Sequence, residues 1–281
     1  MHGLIKVALG IAACSLASTG PAQTPRAAPG KLVKLDDITM HYEERGSGEP
    51  LLLLHGFGMC GPGDWDEIAT DLAKTYRVIL PDLRGHGWST NPSGKFTMRQ
   101  SAEDIRALLD RLGLAQVRAM GISAGGMTLL HLATKYPDRV ATMALIGATN
   151  QFVDQTRRVI RGEVAAPMPK EVQAMFDRCA SRGQAQVREL SGQFQSFADS
   201  HDDMNLTPAD LATIKARTLI VHGDRDEFFP VEIPVTLYRA IPGSQLWIVP
   251  KGDHVPIYGP QLPEFLRVTR HFLAGSATPA P

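Results

Sequence analysis

Between Val117 and Leu132 the chain passes from a short apolar stretch, through Gly121-Ile122-Ser123-Ala124-Gly125-Gly126, into the apolar run Met127–Leu132. The order is strand, small-residue turn, helix. A serine in such a turn sits on a sharp bend with its Oγ lifted clear of the backbone. Glycines flank it because a Cβ at either position would strike the neighbouring strand or helix. Ser123 is therefore a candidate nucleophile. The plainer alternative is a glycine-rich turn and nothing more.

The rest of the chain extends the alternation. Leu32–Leu35 and Ile38–Glu44 flank Asp36-Asp37 and predict a hairpin. Leu51–Leu54 is a continuous apolar run, as expected of a strand buried on both faces of a parallel sheet. Helical spacing over Trp65–Tyr76 precedes a strand at Val78–Leu80. Thr97 and Gln100 predict a capping box opening a helix through Leu112. Further strands are expected at Val140–Ile146, Leu219–Val221 and Gln245–Val249, and helices at Val231–Ala240 and Leu262–Leu273. Alternation of this kind predicts an α/β fold, a mostly parallel, doubly wound sheet covered on both faces. From about Asn150 to Asp210 the pattern breaks into a polar, helix-compatible stretch containing Arg157, Arg158, Arg161, Met168, Met175 and Phe176. It closes at Thr207-Pro208-Ala209-Asp210, where Thr caps and Pro opens a helix. This is read as an inserted helical cap, a long crossover being the alternative. The expected organisation is a signal peptide over 1–22, a flexible lead-in over 23–30, core over 31–149, cap over 150–210, core over 211–274 and a disordered tail over 275–281.

Composition excludes several classes of function. Formal net charge is zero, with no basic field, so nucleic acid is not an expected partner. Cys14, Cys60 and Cys179 are the only cysteines and form no C-x-x-C, so no zinc site is encoded. Lys6 followed by Val7–Ala13, with Gly20-Pro21-Ala22 before Gln23, has the form of an export signal, too short to span a bilayer. The expected location is periplasmic or secreted. Ile11-Ala12-Ala13-Cys14 offers the alternative of a lipid anchor at Cys14, with ordinary cleavage preferred because the apolar region before that cysteine is short.

A serine hydroxyl needs a base, and the base needs a fixed tautomer. Sites in open α/β sheets form at the carboxyl ends of strands. Asp226 follows the strand at Leu219–Val221, and His254 follows Gln245–Val249. The order Ser, Asp, His is that of strand-turn-helix serine enzymes.

With His55-Gly56-Phe57-Gly58, Asp82-Leu83-Arg84-Gly85-His86-Gly87-Trp88-Ser89, Gly121–Gly126, Gly223–Asp226 with Pro230, and Asp253-His254 with Pro256, the chain from about Leu32 to Leu273 resembles the α/β-hydrolase fold family. The resemblance implies Ser123 as nucleophile, Asp226 as acid and His254 as base. Asp226, rather than Asp224, fits the family's Gly-x-x-Asp. It also implies an oxyanion hole from the backbone N–H groups of Phe57 and Ala124. His55 and His86 are expected to hydrogen-bond backbone near the site, and His131 and His222 to be structural. His41, His201 and His271 carry no pattern. Asp253 departs from the family, and its charge would favour the imidazolium of His254. Cys60 and Cys179 are expected to be two separate thiols, a bridge from core to cap being the alternative. The implied reaction is hydrolysis of a small to medium carboxylic ester through an acyl-enzyme, with no cofactor or metal. Carbon–carbon hydrolysis, lactonase, perhydrolase and amidase chemistry on the same triad, and a receptor-like binding protein, are the alternatives. Oligomeric state is not set by the sequence.

Overall fold

A computed structural model describes residues 30–164 and 170–275, without the side chains of residues 170 and 171. The expected signal peptide over 1–22 with Cys14, the lead-in up to residue 29, Met168, and the tail beyond Gly275 lie outside the described residues.

Among the described residues, eight strands form one sheet in the order β1-β2-β4-β3-β5-β6-β7-β8. The hairpin β1 (Lys31–Lys34) and β2 (Thr39–Arg45) is antiparallel, and β2 lies antiparallel to β4 (Arg77–Pro81). From β4 the sheet runs parallel through β3 (Pro50–Leu54), β5 (Val117–Ile122), β6 (Val140–Ile146), β7 (Arg217–Gly223) and β8 (Gln245–Val249). Successive side chains of a strand point to opposite faces, and the two layers of core follow from that. Leu51 and Leu53 pack with Trp65, Ile68 and Leu72 of α1 (Gly61–Leu72) and Phe265 of α9 (Leu262–Ala274). Leu52 and Leu54 pack with Ile105 and Leu108 of α2 (Met98–Arg111) and Leu129 of α3 (Ala124–Lys135). The four-leucine run is thus buried on both sides.

Two local expectations are corrected. Helix α1 begins four residues before Trp65, because Pro62 stands in the first turn, where its missing N–H has no partner to lose, and it ends at Leu72. Thr97 does cap α2 by accepting from the Gln100 N–H at 3.1 Å, but the Gln100 side chain turns to Asp104, so the box is half made.

Between β6 and β7 the chain leaves the sheet for α4 (Asp154–Ile160), α5 (Lys170–Cys179), α6 (Gln184–Ser196), a 3₁₀ turn (Phe197–Asp199) and α7 (Pro208–Leu211). The excursion is closed at its base by a bridge between Gln151 and Asn205 and by Asn150 Nδ2 donating to the Leu206 carbonyl at 2.9 Å. A full capping box starts α7 at Thr207 and Asp210. Helix α8 (Glu232–Ala240) returns the chain between β7 and β8.

The expectation of two separate thiols is overturned: Cys60 and Cys179 form a disulfide. Sequence separation gave no hint of the pairing, because the excursion folds the end of α5 back onto the residue that starts α1.

Candidate active site

Ser123 joins β5 to α3 with φ 48° and ψ −114°, a left-handed conformation that non-glycine residues rarely hold. The turn is held by Ser123 N–H donating to the Ile146 carbonyl at 2.8 Å. A Cβ at Gly121 would meet the Gly125 and Gly126 backbone at 2.5 Å, and one at Gly125 would strike the Leu54 carbonyl. The small residues therefore let helix, strand and neighbouring strand approach closely enough to force the bend.

The loops after β7 and β8 bring the other two residues to it. His254 Nε2 lies 3.0 Å from Ser123 Oγ, and His254 Nδ1 lies 2.9 Å from Asp226 Oδ2. The Asp226 Oδ1 atom accepts from the N–H groups of Phe228 and Phe229 at 2.8 and 3.0 Å. An ionised Asp226 accepts at Nδ1–H, which leaves Nε2 free to accept the serine proton. Burial pushes the Asp226 carboxyl up. The charge and hydrogen bond of His254, His222 beside it and the Phe229 N–H outweigh burial and hold it below its ordinary value. Burial pushes His254 down, but Asp226 first, then the charges of Glu227 and Asp253, hold it above its ordinary value. Asp253 thus acts in the direction its charge predicts. Asp224 is exposed, its N–H on the Val249 carbonyl.

Ala124 is the first residue of α3, so its N–H has no partner within the helix and stands at the positive end of the helix dipole. Phe57 follows Gly56 in the loop after β3. His55 accepts the Leu83 N–H on Nε2 at 2.9 Å, so its Nδ1 carries the proton and donates to the Gly56 carbonyl at 2.7 Å. Burial drives His55 down and keeps it neutral. Burial also drives His86 down, to about 3, and its Nδ1 donates to the Arg84 carbonyl. Both histidines hold backbone near the site. His131 meets the Asp203 carbonyl at 2.8 Å, and His222 donates to the Phe229 carbonyl at 2.9 Å.

Aromatic rings wall the space around these groups. Phe57 packs against His86, Phe96, Phe194 and Phe197, and His254 against Phe228 and Phe229. Phe194 meets Phe228 at 6.4 Å, which joins the two groups. Phe194 and Phe197 come from the inserted helices, so core and insertion share the wall. Helix α4 is tied to the acid loop by Thr156 Oγ1 donating to the Phe228 carbonyl at 2.8 Å.

The sequence reading missed two buried acids beside the oxyanion loop. Asp82, in the Asp82–Ser89 motif, holds its own loop: Oδ1 accepts Gly61 N–H, and Oδ2 accepts Trp88 N–H and meets His41. Asp64, in the first turn of α1, accepts the Gly56 N–H on Oδ2 at 2.6 Å. A signal for Asp64 was present: an acidic residue one position before Trp65, on a face otherwise apolar. Among the described residues no group of three or more His, Cys, Asp or Glu could hold a metal ion.

An eight-stranded, mostly parallel sheet with a serine at the strand-to-helix bend, an acid after β7 and a histidine after β8 defines an α/β-hydrolase. Residues 49–176 match the family model described as alpha/beta hydrolase fold. The chain has the α/β-hydrolase fold, and the relatives it matches include hydrolases. It is 28% identical to a 2-hydroxymuconate semialdehyde hydrolase of Pseudomonas putida, over 90% of this chain and 96% of that one. It is 29% identical to the serine hydrolase BPHL of Mus musculus, over 79% of each. Among solved structures, a meta-cleavage product hydrolase from Pseudomonas fluorescens IP01 superposes with a TM-score of 0.73 at 22% identity, covering 87% of this chain and 97% of that one. That last likeness is one of fold.

Proposed function

We propose that the protein is a serine hydrolase that cleaves carboxylic esters with an apolar, ring-bearing acyl or alcohol part. The observation that carries this reading is the unbroken chain Ser123–His254–Asp226, with contacts of 3.0 and 2.9 Å. Ser123 Oγ attacks the ester carbonyl and gives its proton to His254 Nε2. The carbonyl oxygen becomes an oxyanion between the N–H groups of Phe57 and Ala124, an arrangement in which losing one donor typically costs about 3 kcal/mol. Asp226 keeps the proton on Nδ1 and stabilises the imidazolium. The tetrahedral intermediate collapses, and the leaving alcohol takes the proton from Nε2. Water, deprotonated by the same nitrogen, then attacks the acyl-enzyme and releases the acid and free Ser123.

Carbon–carbon hydrolysis is the second reading, and the name of the Pseudomonas putida relative favours it. That reaction asks more of a site, because a carbanion leaving group must be stabilised and protonated at carbon. The rings packed on Phe57 and His254 suit an apolar ester better. Turnover of p-nitrophenyl acetate, butyrate and benzoate decides, with 2-hydroxymuconate semialdehyde as the competing substrate. Benzoate is expected to be the best, and Ser123→Ala to abolish all ester turnover. Turnover of the semialdehyde alone would install the second reading.

Export fits the same picture. The Cys60–Cys179 bridge needs an oxidising compartment to form and persist, which supports a periplasmic or secreted protein.

A further inference from the structure

Gly56 is gripped on both of its peptide groups. Its carbonyl accepts from His55 Nδ1 at 2.7 Å, and its N–H donates to Asp64 Oδ2 at 2.6 Å. The Phe57 N–H shares a planar trans peptide with the Gly56 carbonyl, so it points opposite to that carbonyl. Glycine resists rotation about its own φ and ψ less than any other residue. The direction of the Phe57 N–H therefore depends on holding both neighbouring peptides.

We propose that Asp64 is a positioning residue for the oxyanion hole: its carboxylate fixes the His55–Gly56 peptide while His55 fixes the next one, and together they aim the Phe57 N–H. The proposal rests on Ser123 being the nucleophile, as argued above. Three features of the geometry support it. Asp64 is buried, so its carboxylate is not diverted to solvent. It projects from the first turn of α1, where the helix dipole favours a negative charge. Its own carbonyl accepts from the Tyr258 hydroxyl at 2.6 Å, and Tyr258 lies on the loop that carries His254. Asp64 thus joins the oxyanion loop, α1 and the histidine loop. The titratable groups that face it are His254 and Tyr258.

The same placement makes the anchor sensitive to pH. Burial raises the Asp64 carboxyl to about 7, against the Gly56 hydrogen bond and the His254 charge. Only the carboxylate gives Gly56 a charge-assisted bond, roughly twice as strong as a neutral one. The anchor is therefore firm above about pH 7 and weakens below it. His254 must also be neutral to act as base, and it too is lost as pH falls. Both ionisations fall on the acid limb.

The test reads the rate at which a fluorophosphonate labels Ser123, so no natural substrate is required. In that step Ser123 Oγ bonds to phosphorus, fluoride leaves with the P–F electron pair, and the serine proton goes to His254. In the wild-type protein the plot of log rate constant against pH should fall more steeply than one decade per pH unit near pH 7. In Asp64→Asn, which keeps a neutral acceptor, the steep region should vanish. The rate at pH 8.5 should drop about 10-fold, less than the loss of a whole oxyanion donor. Asp64→Glu should restore part of the steepness. A wild-type limb of one decade per unit throughout overturns the proposal even if the variants do not fold, as does an Asp64→Asn profile that superposes on wild type. Failure of the wild-type protein to label at any pH would instead overturn the nucleophile reading beneath it.

Discussion

Gly147 shapes the site by the side chain it lacks. It follows β6 at φ 53°, and a Cβ there would stand 3.2 Å from both Cε1 and Nδ1 of His254 while striking the His254 carbonyl. Alanine must therefore push the imidazole or its backbone, and that ring is the one that has to meet Ser123 and Asp226 together. Misplacing a reacting group by about 1 Å can cost on the order of 100-fold. Gly147→Ala should lower kcat for p-nitrophenyl esters by about 10- to 100-fold with KM changed less than about threefold. A normal kcat in a folded Gly147→Ala protein would show that the ring has room to spare. Gly147 was not legible in the sequence, and Asp64 only as an acid on an otherwise apolar helix face, whereas Ser123, Asp226 and His254 were. The latter three stand in motifs whose local pattern fixes where they sit. Gly147 acts on the distant loop that carries His254, and Asp64 on a peptide eight residues before it, and neither contact belongs to a motif.

At the level of elements, the start of α2 sets the contrast between local and distant instructions most clearly. Thr97 caps it from the adjacent position, accepting the Gln100 N–H. Asp203, from the return of the inserted segment, accepts the Met98 and Arg99 N–H groups at 2.7 and 3.0 Å, and is buried. Two caps thus satisfy three of the four N–H groups that a helix leaves unpaired. The first was readable from Thr97; the second was not, because it arises only when the excursion closes at Asn150 and Leu206. The two should differ in cost. Thr97→Ala loses a cap beside solvent, about 1 kcal/mol. Asp203→Ala strips charged-acceptor bonds from two N–H groups and leaves a buried gap, about 2–4 kcal/mol. Urea unfolding followed by circular dichroism should rank Asp203→Ala as the more destabilised of the pair. Equal midpoints would mean that water replaces Asp203 at little cost.

For the molecule as a whole, the question is how the insertion stays on its sheet. Its ties are spread over separate contacts. Gln186 Nε2 donates to the Gly85 and Gly87 carbonyls at 2.7 and 3.0 Å, Ser181 Oγ donates to the Gly87 carbonyl, and Phe194 and Phe197 enter the aromatic wall. The Cys60–Cys179 bridge is the covalent member of this set, and it closes a loop across 119 residues. A loop of that length confines the unfolded chain strongly, and bridges of this kind contribute about 2–4 kcal/mol. The hydrogen bonds and ring contacts of the insertion are separate from it. Removing the bridge by Cys60→Ser with Cys179→Ser should therefore lower Tm by roughly 5–15 °C, while the rate of Ser123 labelling at 25 °C stays within about twofold of wild type. If labelling instead collapses at 25 °C with Tm unmoved, the bridge serves to hold α5 and the start of α1 in place around the oxyanion loop, and the noncovalent ties are too weak to do so alone. The expected pattern, loss of heat resistance without loss of site geometry, follows because the bridge restricts chiefly the unfolded chain, whereas the site is set by hydrogen bonds and ring contacts that both forms keep.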